Sequence, residues 1–464
     1  MRFKLRIRHR GSLSVDPRPF YADMFSIRSL AVFVLIFGIF SYRNAEAQFS
    51  SQFSLSVGEE YNDNIFFTKQ RDHDFVTHIT PSLTLLYHTG GETSPRLRLD
   101  ISPTGQIYAR HSELNNFGRN FNLGGGYSYY YSPRLTFQLT ETLQLRGDTR
   151  TAGVGREQDI RQISTPTQPP AQGLPASQTL GDFVSNGDTL ANRFAIYGRY
   201  LFAPDITISG EFNTGYTAFI DQGGNELSHA FALRGIYNWR QEHNLHAGYT
   251  LAIIKTRDGE DNVVHNFDFG DDYFSNTKFQ LTPTLTLAFS SGISFNAGGD
   301  GPRVANNSSL NLTKVWETAT FTLGGRKGLT SSYGISGISD TTTFFTTFNM
   351  RITERLSGNV GADYSLFDTD DVKFNTLQAN AGLQYAITHW LCSSLSYSHR
   401  RRDSGAGSSN TDLLTRGNVY SNSVFVAISA NFDVWPSMGI AKSARSCSAG
   451  IQSVGASQAP GLPR

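Results

Sequence analysis

A turn that recurs along the chain, between runs of alternating apolar and polar residues, is the feature that most constrains the fold. It takes the forms Ser132-Pro133-Arg134-Leu135, Ala203-Pro204-Asp205-Ile206, Thr282-Pro283-Thr284-Leu285 and Thr353-Glu354-Arg355-Leu356. Runs of about ten alternating residues, joined alternately by tight turns and long polar loops, are typical of barrels that span an outer membrane. The pattern therefore predicts an all-β fold, a transmembrane up-and-down antiparallel β-barrel.

The alternation gives each predicted strand an apolar and a polar face, because successive side chains of a strand point to opposite sides. In 134–146, leucine and phenylalanine at odd positions oppose threonine and glutamine at even positions. The segments 96–108, 245–253, 285–295 and 377–385 divide in the same way. One face would contact lipid and the other would line a water-filled lumen.

The connections alternate in length, which favours a barrel over a soluble β-sandwich. Short turns fall near residues 90, 132, 204, 241, 283, 317, 353 and 388, with longer polar loops between them. Short periplasmic turns and long outer loops are the barrel arrangement, and they give about 18 strands, with both termini in the periplasm.

Two acidic residues disturb the alternation. Glu141 falls on an apolar face, where a bulge or a subunit contact would explain it. Asp271 shares a face with Phe267 and Phe269, and a bulge or slipped register there would change the strand count by two. A barrel of about 16 strands is therefore the alternative, and either size leaves an aqueous channel.

Composition agrees with a barrel. Charged residues make up 17% and aromatic residues 12% of the chain, and aromatic girdles mark the membrane interfaces of barrels. The mean hydropathy of -0.31 argues against a helical membrane protein, but not against strands that are half polar. The net charge of +1 comes without a basic stripe, so no nucleic-acid partner is expected.

The termini predict processing and a tail. A basic segment, a short apolar stretch and the sequence Ala45-Glu46-Ala47 predict a signal peptide over 1–47, with cleavage between Ala47 and Gln48. This leader is long, so Met24 is an alternative start. The barrel is predicted over 48–434, and 435–464 is predicted to be a disordered tail. Phe432 would supply the terminal aromatic residue by which the barrel assembly machinery recognises the last strand.

Catalytic and metal-binding motifs are lacking. The sequence contains no Gly-x-Ser-x-Gly elbow, His-Glu-x-x-His helix or phosphate-binding glycine loop, so we predict no enzyme activity, no catalytic residue, no cofactor and no metal site. Acidic residues around the first loop, such as Glu60, Asp63 and Asp74, are expected to be solvated, with Ca²⁺ binding as the alternative. Cys392 and Cys447 do not make a disulfide framework, and a bond between them is a hypothesis.

The predicted inner face carries more basic than acidic residues. The acids on that face include Asp100, Glu211 and Asp363. A positive lumen would concentrate anionic solutes or an acidic glycan, whereas arginines paired with nearby carboxylates would make only a generic hydrated wall. The candidate lumen-lining residues are Arg96, Arg98, Arg110, Arg134, Arg146, Arg193, Arg199, Arg234, Arg326, Arg351, Arg400, Tyr108 and Tyr197. The long loop 148–189 would either constrict the channel or lie outside it.

Several motifs resemble the β-barrel porin family of the porin 2 type, which is found beside bacterial exopolysaccharide gene clusters. They are the opening strand and loop from Phe53 to Phe66, the Pro-Arg-Leu turns, the segment from Tyr397 to Asp403 and the final strand from Val424 to Phe432. The resemblance implies a channel in the outer membrane of a Gram-negative bacterium. It also implies outer-membrane lipid, lipopolysaccharide, exopolysaccharide and periplasmic export proteins as partners.

Three functions remain open from the sequence. The first is a passive conduit for exopolysaccharide secretion. The second is a general diffusion porin for anionic small solutes. The third is a surface or adhesion barrel that acts through its loops.

Overall fold

A computed structural model describes residues 47–89, 96–146, 189–219, 225–240, 243–256, 261–274, 285–298, 303–331, 338–368, 373–404 and 417–435. The predicted signal peptide up to residue 46, the loop 147–188, Cys447 and the tail from 436 lie outside the described residues. Over the described ranges, no helix has the length and apolar character needed to cross a membrane.

Eighteen β-strands make up almost all of the described chain, together with one 3₁₀ turn at Ser112–Leu114. Their lengths, from 12 to 19 residues, exceed the roughly 9–11 residues that a tilted strand needs to cross a bilayer. The strands are β1 (Ala47–Asn62), β2 (Asp74–Thr89), β3 (Arg96–Tyr108), β4 (Asn116–Ser132), β5 (Leu135–Arg146), β6 (Thr189–Ala203), β7 (Ile206–Phe219), β8 (Asn225–Arg240), β9 (His243–Thr256), β10 (Asn262–Phe274), β11 (Leu285–Asn296), β12 (Arg303–Val315), β13 (Ala319–Ser331), β14 (Ile338–Arg351), β15 (Leu356–Asp368), β16 (Lys373–Ala386), β17 (Leu391–Ser404) and β18 (Gly417–Trp435).

The strands form one closed antiparallel sheet. Each strand pairs with the next one along the chain, and β18 pairs with β1 over twelve positions, from Ser51 opposite Trp435 to Asn62 opposite Ser423. Closure leaves no unpaired sheet edge, so backbone N–H and C=O groups are satisfied without water. The predicted 18-stranded barrel is confirmed. Its connections fall near the predicted turns and loops, but 275–284, expected to be short, spans ten residues, and 369–372, expected to be long, spans four.

The outer face is the apolar one. In an antiparallel sheet, directly paired residues project to the same side, so the faces can be followed from strand to strand through the registers. Large hydrophobic residues exposed on the outer side recur around the whole wall, including Leu55, Phe137, Phe231, Phe267, Phe289, Leu323, Val360, Leu395 and Ile428. In water this surface would be a large exposed apolar patch, but in a bilayer it faces lipid.

The two acidic irregularities have regular backbones. Glu141 pairs with Gly125 on one side and Phe194 on the other without a register shift, so the predicted bulge there is wrong. Its carboxylate accepts a hydrogen bond from Asn192 Nδ2 at 2.7 Å, and a subunit contact stays a prediction. Asp271 also lies in an unshifted register and is bonded to His243 Nδ1 at 2.5 Å, which explains a carboxylate on the outer face without a bulge.

The last strand is longer than predicted. It starts at Gly417 and runs three residues past Phe432. The Phe432 ring lies on the outer face, with its centroid 6.0 Å from that of Trp390. The predicted role of Phe432 as the assembly signal stays a prediction.

Candidate functional site: the inner wall

The inner wall consists of the residues that alternate with the exposed apolar ones. Eleven of the thirteen predicted lumen-lining residues lie on strands at such inner positions. Arg134 instead lies in the turn between β4 and β5, and Arg110 lies two residues beyond the end of β3. The inner-wall set is Arg96, Arg98, Tyr108, Arg146, Arg193, Tyr197, Arg199, Arg234, Arg326, Arg351 and Arg400.

Tyr108 does not present its ring to the lumen, because the side chain is only 3% exposed. It pairs directly with Val76, which is 0% exposed. The first loop, residues 63–73, packs beyond the end of β3, where the centroid of the Phe66 ring lies 5.2 Å from that of His111. The sequence could not anticipate this burial, because alternation says nothing about loops that fold onto the wall.

Arg98 is the clearest paired arginine. Its Nε lies 2.7 Å from Asp100 Oδ2, and its Nη2 lies 3.0 Å from Asp100 Oδ1. Thr84 donates a further hydrogen bond to the same carboxylate at 2.7 Å. This fork-shaped pair cancels the charge locally, so Arg98 belongs to the generic hydrated wall that the sequence allowed as an alternative.

Four other inner-wall arginines have no carboxylate partner within the described part of the chain. These are Arg96, Arg193, Arg199 and Arg351. Arg96, Arg199 and Arg351 are exposed, and Arg193 is half-buried. Arg193 and Arg199 both lie on β6, six residues apart, which corresponds to about 20 Å along a strand. The unpaired charges are therefore spread over much of the height of the wall.

A charged group on β8, β9 and β10 was only partly anticipated. The side chains of Arg234, His246 and Asp268 meet on the inner face, with Asp268 Oδ2 4.0 Å from both Arg234 Nη2 and His246 Nε2. Glycines make room for them: a Cβ at Gly248 would lie 2.6 Å from Asp268 Oδ1, and one at Gly270 would lie 2.7 Å from His246 Nε2. Arg234 thus has a carboxylate at ion-pair distance, unlike the four arginines above.

Strands β14, β15 and β16 carry uncharged amides on their inner face. We call this region the amide sector, and its amide residues are Asn349, Asn359, Gln378, Asn380 and Gln384. All five side chains are half-buried, and none has a hydrogen-bond partner within the described ranges. The charged inner-face residues of these three strands are Arg351 and Asp363.

The first loop joins the two ends of the barrel at the outer rim. Asn64 Nδ2 donates to the carbonyls of Thr68 and Tyr420, each at 2.8 Å, and Asp63 accepts from the backbone and the side chain of Asn422. The Arg71 guanidinium lies 3.5 Å from the centre of the Tyr420 ring. The loop therefore ties β1 to β18 where the sheet closes.

Most acidic residues near this loop have protein partners. Asp74 is 0% exposed and accepts from the backbone N–H groups of Arg110 and His111, and Glu60 lies 3.0 Å from His78 Nε2. Neither is the solvated loop carboxylate that the sequence suggested. Within the described ranges, no group of three or more His, Cys, Asp or Glu side chains is arranged to hold a metal ion.

Cys392 lies on the inner face and is 4% exposed. Asn431 Nδ2 lies 3.9 Å from its sulfur. The inward direction read from the sequence is thereby confirmed, whereas the proposed bond to Cys447 involves a residue outside the described ranges.

The amide sector is the part of the wall that sequence reasoning missed. A signal was present, because Asn and Gly alternate at inner positions of two successive strands, as Asn359 and Gly361 on β15 and Asn380 and Gly382 on β16. Each strand read alone shows only a polar face. Only the register between the two strands shows that Asn359 lies opposite Gly382 and that Asn380 lies opposite Gly361.

No family model matches the chain, and no curated protein matches it. Solved structures that match include OpdQ of Pseudomonas aeruginosa, at 10% identity over 83% of this chain and 99% of that chain, with a TM-score of 0.44. OccAB4 of Acinetobacter baumannii matches at 11% identity over 84% and 99%, with a TM-score of 0.44. OccK2 (OpdF) of P. aeruginosa, in complex with glucuronate, matches at 10% identity over 83% and 98%, with a TM-score of 0.43.

Likenesses this distant assign no function, and the conclusion rests on the wall itself. The sheet closes on itself, its outer face is apolar, and its inner face is polar and charged. Eighteen strands enclose a lumen wide enough for an aqueous channel. The protein is a transmembrane β-barrel of the outer membrane with the architecture of a channel.

Proposed function

We propose that the protein is an outer-membrane channel for small anionic solutes. The observation that carries the proposal is the set of four inner-wall arginines, Arg96, Arg193, Arg199 and Arg351, that have no carboxylate partner within the described ranges. A cation without a partner on a concave, low-dielectric wall attracts anions and repels cations. The remaining inner-wall charge is partly compensated, as in the pair of Arg98 with Asp100.

The wall gives less support to a conduit for exopolysaccharide. Unpaired arginines act on any anion that enters the lumen and require no polymer. The resemblance that suggested polysaccharide export rests on strand and turn motifs, and none of the four unpaired arginines belongs to them. Export of an acidic glycan therefore stays a prediction, as does adhesion through the loops.

Ion selectivity tests the proposal. The purified barrel is inserted into a planar bilayer with a tenfold KCl gradient, and the reversal potential gives the ratio of chloride to potassium permeability. We expect anion selectivity. The double variant Arg193→Gln/Arg199→Gln removes two such charges, each acting on a passing ion from about 8 Å through water and screened over a Debye length of about 8 Å, and should lower the ratio by about threefold.

Arg401→Gln is the matched control. Arg401 neighbours Arg400 on β17 but lies on the outer face, 3.7 Å from Asp403, so this variant changes the net charge without changing the lumen. Its reversal potential should equal that of the unaltered protein. A cation-selective pore, or a barrel that conducts no ions, would contradict the proposal.

A further inference from the structure

Two amide–glycine pairs lie side by side in the amide sector. Asn359 on β15 faces Gly382 on β16, and two positions along the same strands Gly361 faces Asn380. Both strands place every second residue on the inner face, so these two pairs are neighbours there. The asparagine belongs to β15 in the first pair and to β16 in the second. The four residues form a compact square of two amides and two glycines.

The glycines allow the amides to lie against the wall. A Cβ at Gly382 would be 2.5 Å from Asn359 Oδ1, and a Cβ at Gly361 would be 2.7 Å from Asn380 Oδ1. Each amide therefore extends across the neighbouring strand into space that any other residue would fill. Each amide oxygen thus lies over a glycine of the neighbouring strand, and both asparagines are half-buried on the inner face.

The hydrogen-bonding groups of these amides are not used by other side chains in the part of the chain that the structure describes. Neither Asn359 nor Asn380 has a side-chain partner within the described ranges, and the same holds for Asn349, which pairs directly with Asn359. A primary amide offers two N–H donors and a carbonyl acceptor. Hydroxyl groups both donate and accept, so neighbouring hydroxyls on one solute match such a surface, whereas a methylene chain leaves it unsatisfied.

An aromatic ring and a cation border the square. Phe345 lies on the inner face of β14 and reaches across to β13, where its Cζ would be 2.4 Å from a Cβ at Gly324. Arg351, which has no carboxylate partner within the described ranges, is two positions from Asn349 on β14, about 7 Å along the strand. The sector thus places a cation, amide groups and an apolar ring along one stretch of wall, together with the carboxylate of Asp363, which lies opposite Phe345.

We propose that the amide sector is a subsite for the hydroxylated part of a small anion, a sugar acid of the aldonate or uronate class. Arg351 attracts the carboxylate, and the amides of Asn349, Asn359 and Asn380 exchange hydrogen bonds with the hydroxyls. This assignment rests on the proposed anion channel and names the class of anion that the channel favours. It makes hydroxyl content, as well as charge, a determinant of permeability.

Gluconate and hexanoate separate the two determinants, because both are six-carbon monocarboxylates and only gluconate carries hydroxyls. Reversal potentials against chloride give the permeability ratio of gluconate to hexanoate. The double variant Asn359→Ala/Asn380→Ala should lower this ratio by about fivefold, as expected for the loss of two hydrogen bonds of modest net strength. Its chloride-to-potassium ratio should not change, because no charge is removed.

A second variant tests the geometry without deleting an amide. Gly361→Ala/Gly382→Ala leaves both asparagines in place but fills the space in which they lie, so the same ratio should fall. Asn306→Ala is the control, because Asn306 is an exposed amide on the outer face of β12. Heat-modifiable migration on gels establishes that each variant forms a folded barrel.

The outcomes distinguish this proposal from the one on which it rests. An unchanged gluconate-to-hexanoate ratio in the asparagine variant overturns the subsite, as does an equal loss of both permeabilities. A cation-selective pore overturns the anion channel. In that case liposome swelling with the neutral polyol arabitol, compared with the zwitterion proline, still tests recognition of hydroxyls, and equal swelling rates in the unaltered protein and the asparagine variant reject it.

Discussion

Two parts of the inner wall have the same backbone and different chemistry. Strands β3–β8, which we call the arginine sector, place Arg96, Arg193 and Arg199 at inner positions without carboxylate partners in the described ranges. The amide sector of β14–β16 fills most equivalent positions with Asn, Gln, Ser and Thr, and its charged inner residues are Arg351 and Asp363. Both sectors are antiparallel with alternating faces, although the pairings within β3–β8 contain three register shifts and those of β14–β16 contain none. The main difference is therefore in the residue types on the inner face.

The order of strands places the two sectors on opposite sides of the lumen. The middle of the arginine sector and the middle of the amide sector are about half of the 18-stranded circle apart. A solute that passes between them meets several arginines on one side and mainly uncharged hydrogen-bonding groups on the other. Selection by charge and selection by hydroxyl content therefore depend on residues in different places, which can be substituted separately.

The largest effect is expected from reversing charge in the arginine sector. In Arg193→Glu/Arg199→Glu, two attractive groups for anions become two repulsive ones. The chloride-to-potassium permeability ratio should fall by about tenfold and pass below one, because the potential along the lumen changes sign near β6. Reversal potentials in a KCl gradient measure the ratio.

The same substitution on the outer face provides the comparison. Arg401→Glu alters the charge on the outer face of β17 and should leave selectivity unchanged. If the β6 variant stays anion-selective, the charge that matters lies elsewhere, and the arginine sector loses its assigned role. The effect should shrink at high salt, since the Debye length falls to about 3 Å at 1 M.

The sequence predicted which arginines lie on the inner face, but it did not predict which of them are paired with a carboxylate. Alternation alone placed Arg193 and Arg199 on the inner face, because one face of every strand must meet lipid and the other must not. It placed Arg134 there as well, although that residue lies in a turn. Whether an arginine is paired, as Arg98 is with Asp100, depends on side-chain conformations that no repeat encodes.

Strand register and loop packing explain the other features that the sequence did not predict. The amide–glycine square depends on which residue of β16 lies opposite each residue of β15, and a shift of one position would move the amides to the outer face. The burial of Tyr108 lies beyond the reach of alternation, which assigns a face and not a depth. The strand count and the outer apolar face were predictable because they follow from local periodicity.

An intermediate effect is expected from filling the wall beside the amide sector. In Gly324→Val, the new side chain occupies the space under the Phe345 ring, whose Cζ would lie 2.4 Å from a Cβ there. The ring must swing into the lumen or the strands must separate. We expect a lower single-channel conductance and a loss of about 1 kcal/mol in the free energy of unfolding, measured by denaturant titration in lipid vesicles.

Gly235→Val is the comparison on the outer face of the barrel, where Gly235 pairs with the exposed Ile208. Gly235 lies on β8, and a Cβ there would meet nothing within 4 Å. Both variants replace a strand glycine with valine, so the change in β-strand propensity is the same in both. Equal conductance and equal stability in the two variants would show that the fit of Phe345 over Gly324 does not matter.

The smallest effect is expected at the outer rim, where the ends of the two sectors are stabilised by different kinds of contact. Beside β3, His111 Nδ1 lies 2.8 Å from Asp74 and its Nε2 lies 3.1 Å from Asp72. Above the amide sector, the buried rings of Phe367 and Phe374 stack with their centroids 4.7 Å apart. The first contact is ionic and should depend on pH, whereas the second should not.

The sign of the pH dependence follows from His111. The hydrogen bond to the Asp74 side chain raises the pKa of His111 above its usual 6.5. Its contribution is therefore complete below about pH 6.5 and is lost as the pH rises through the folded value. Because His111 is partly exposed and its second partner, Asp72, is exposed, the change should stay below about 1 kcal/mol. Hydrogen-exchange protection of the Arg110 and His111 amides should therefore fall less than about fivefold between pH 6 and 9. Protection at the ends of β15 and β16 should stay constant once intrinsic rates are corrected.

His111→Gln should abolish the difference between the two rims, and a fall that persists in that variant would place the titrating group elsewhere.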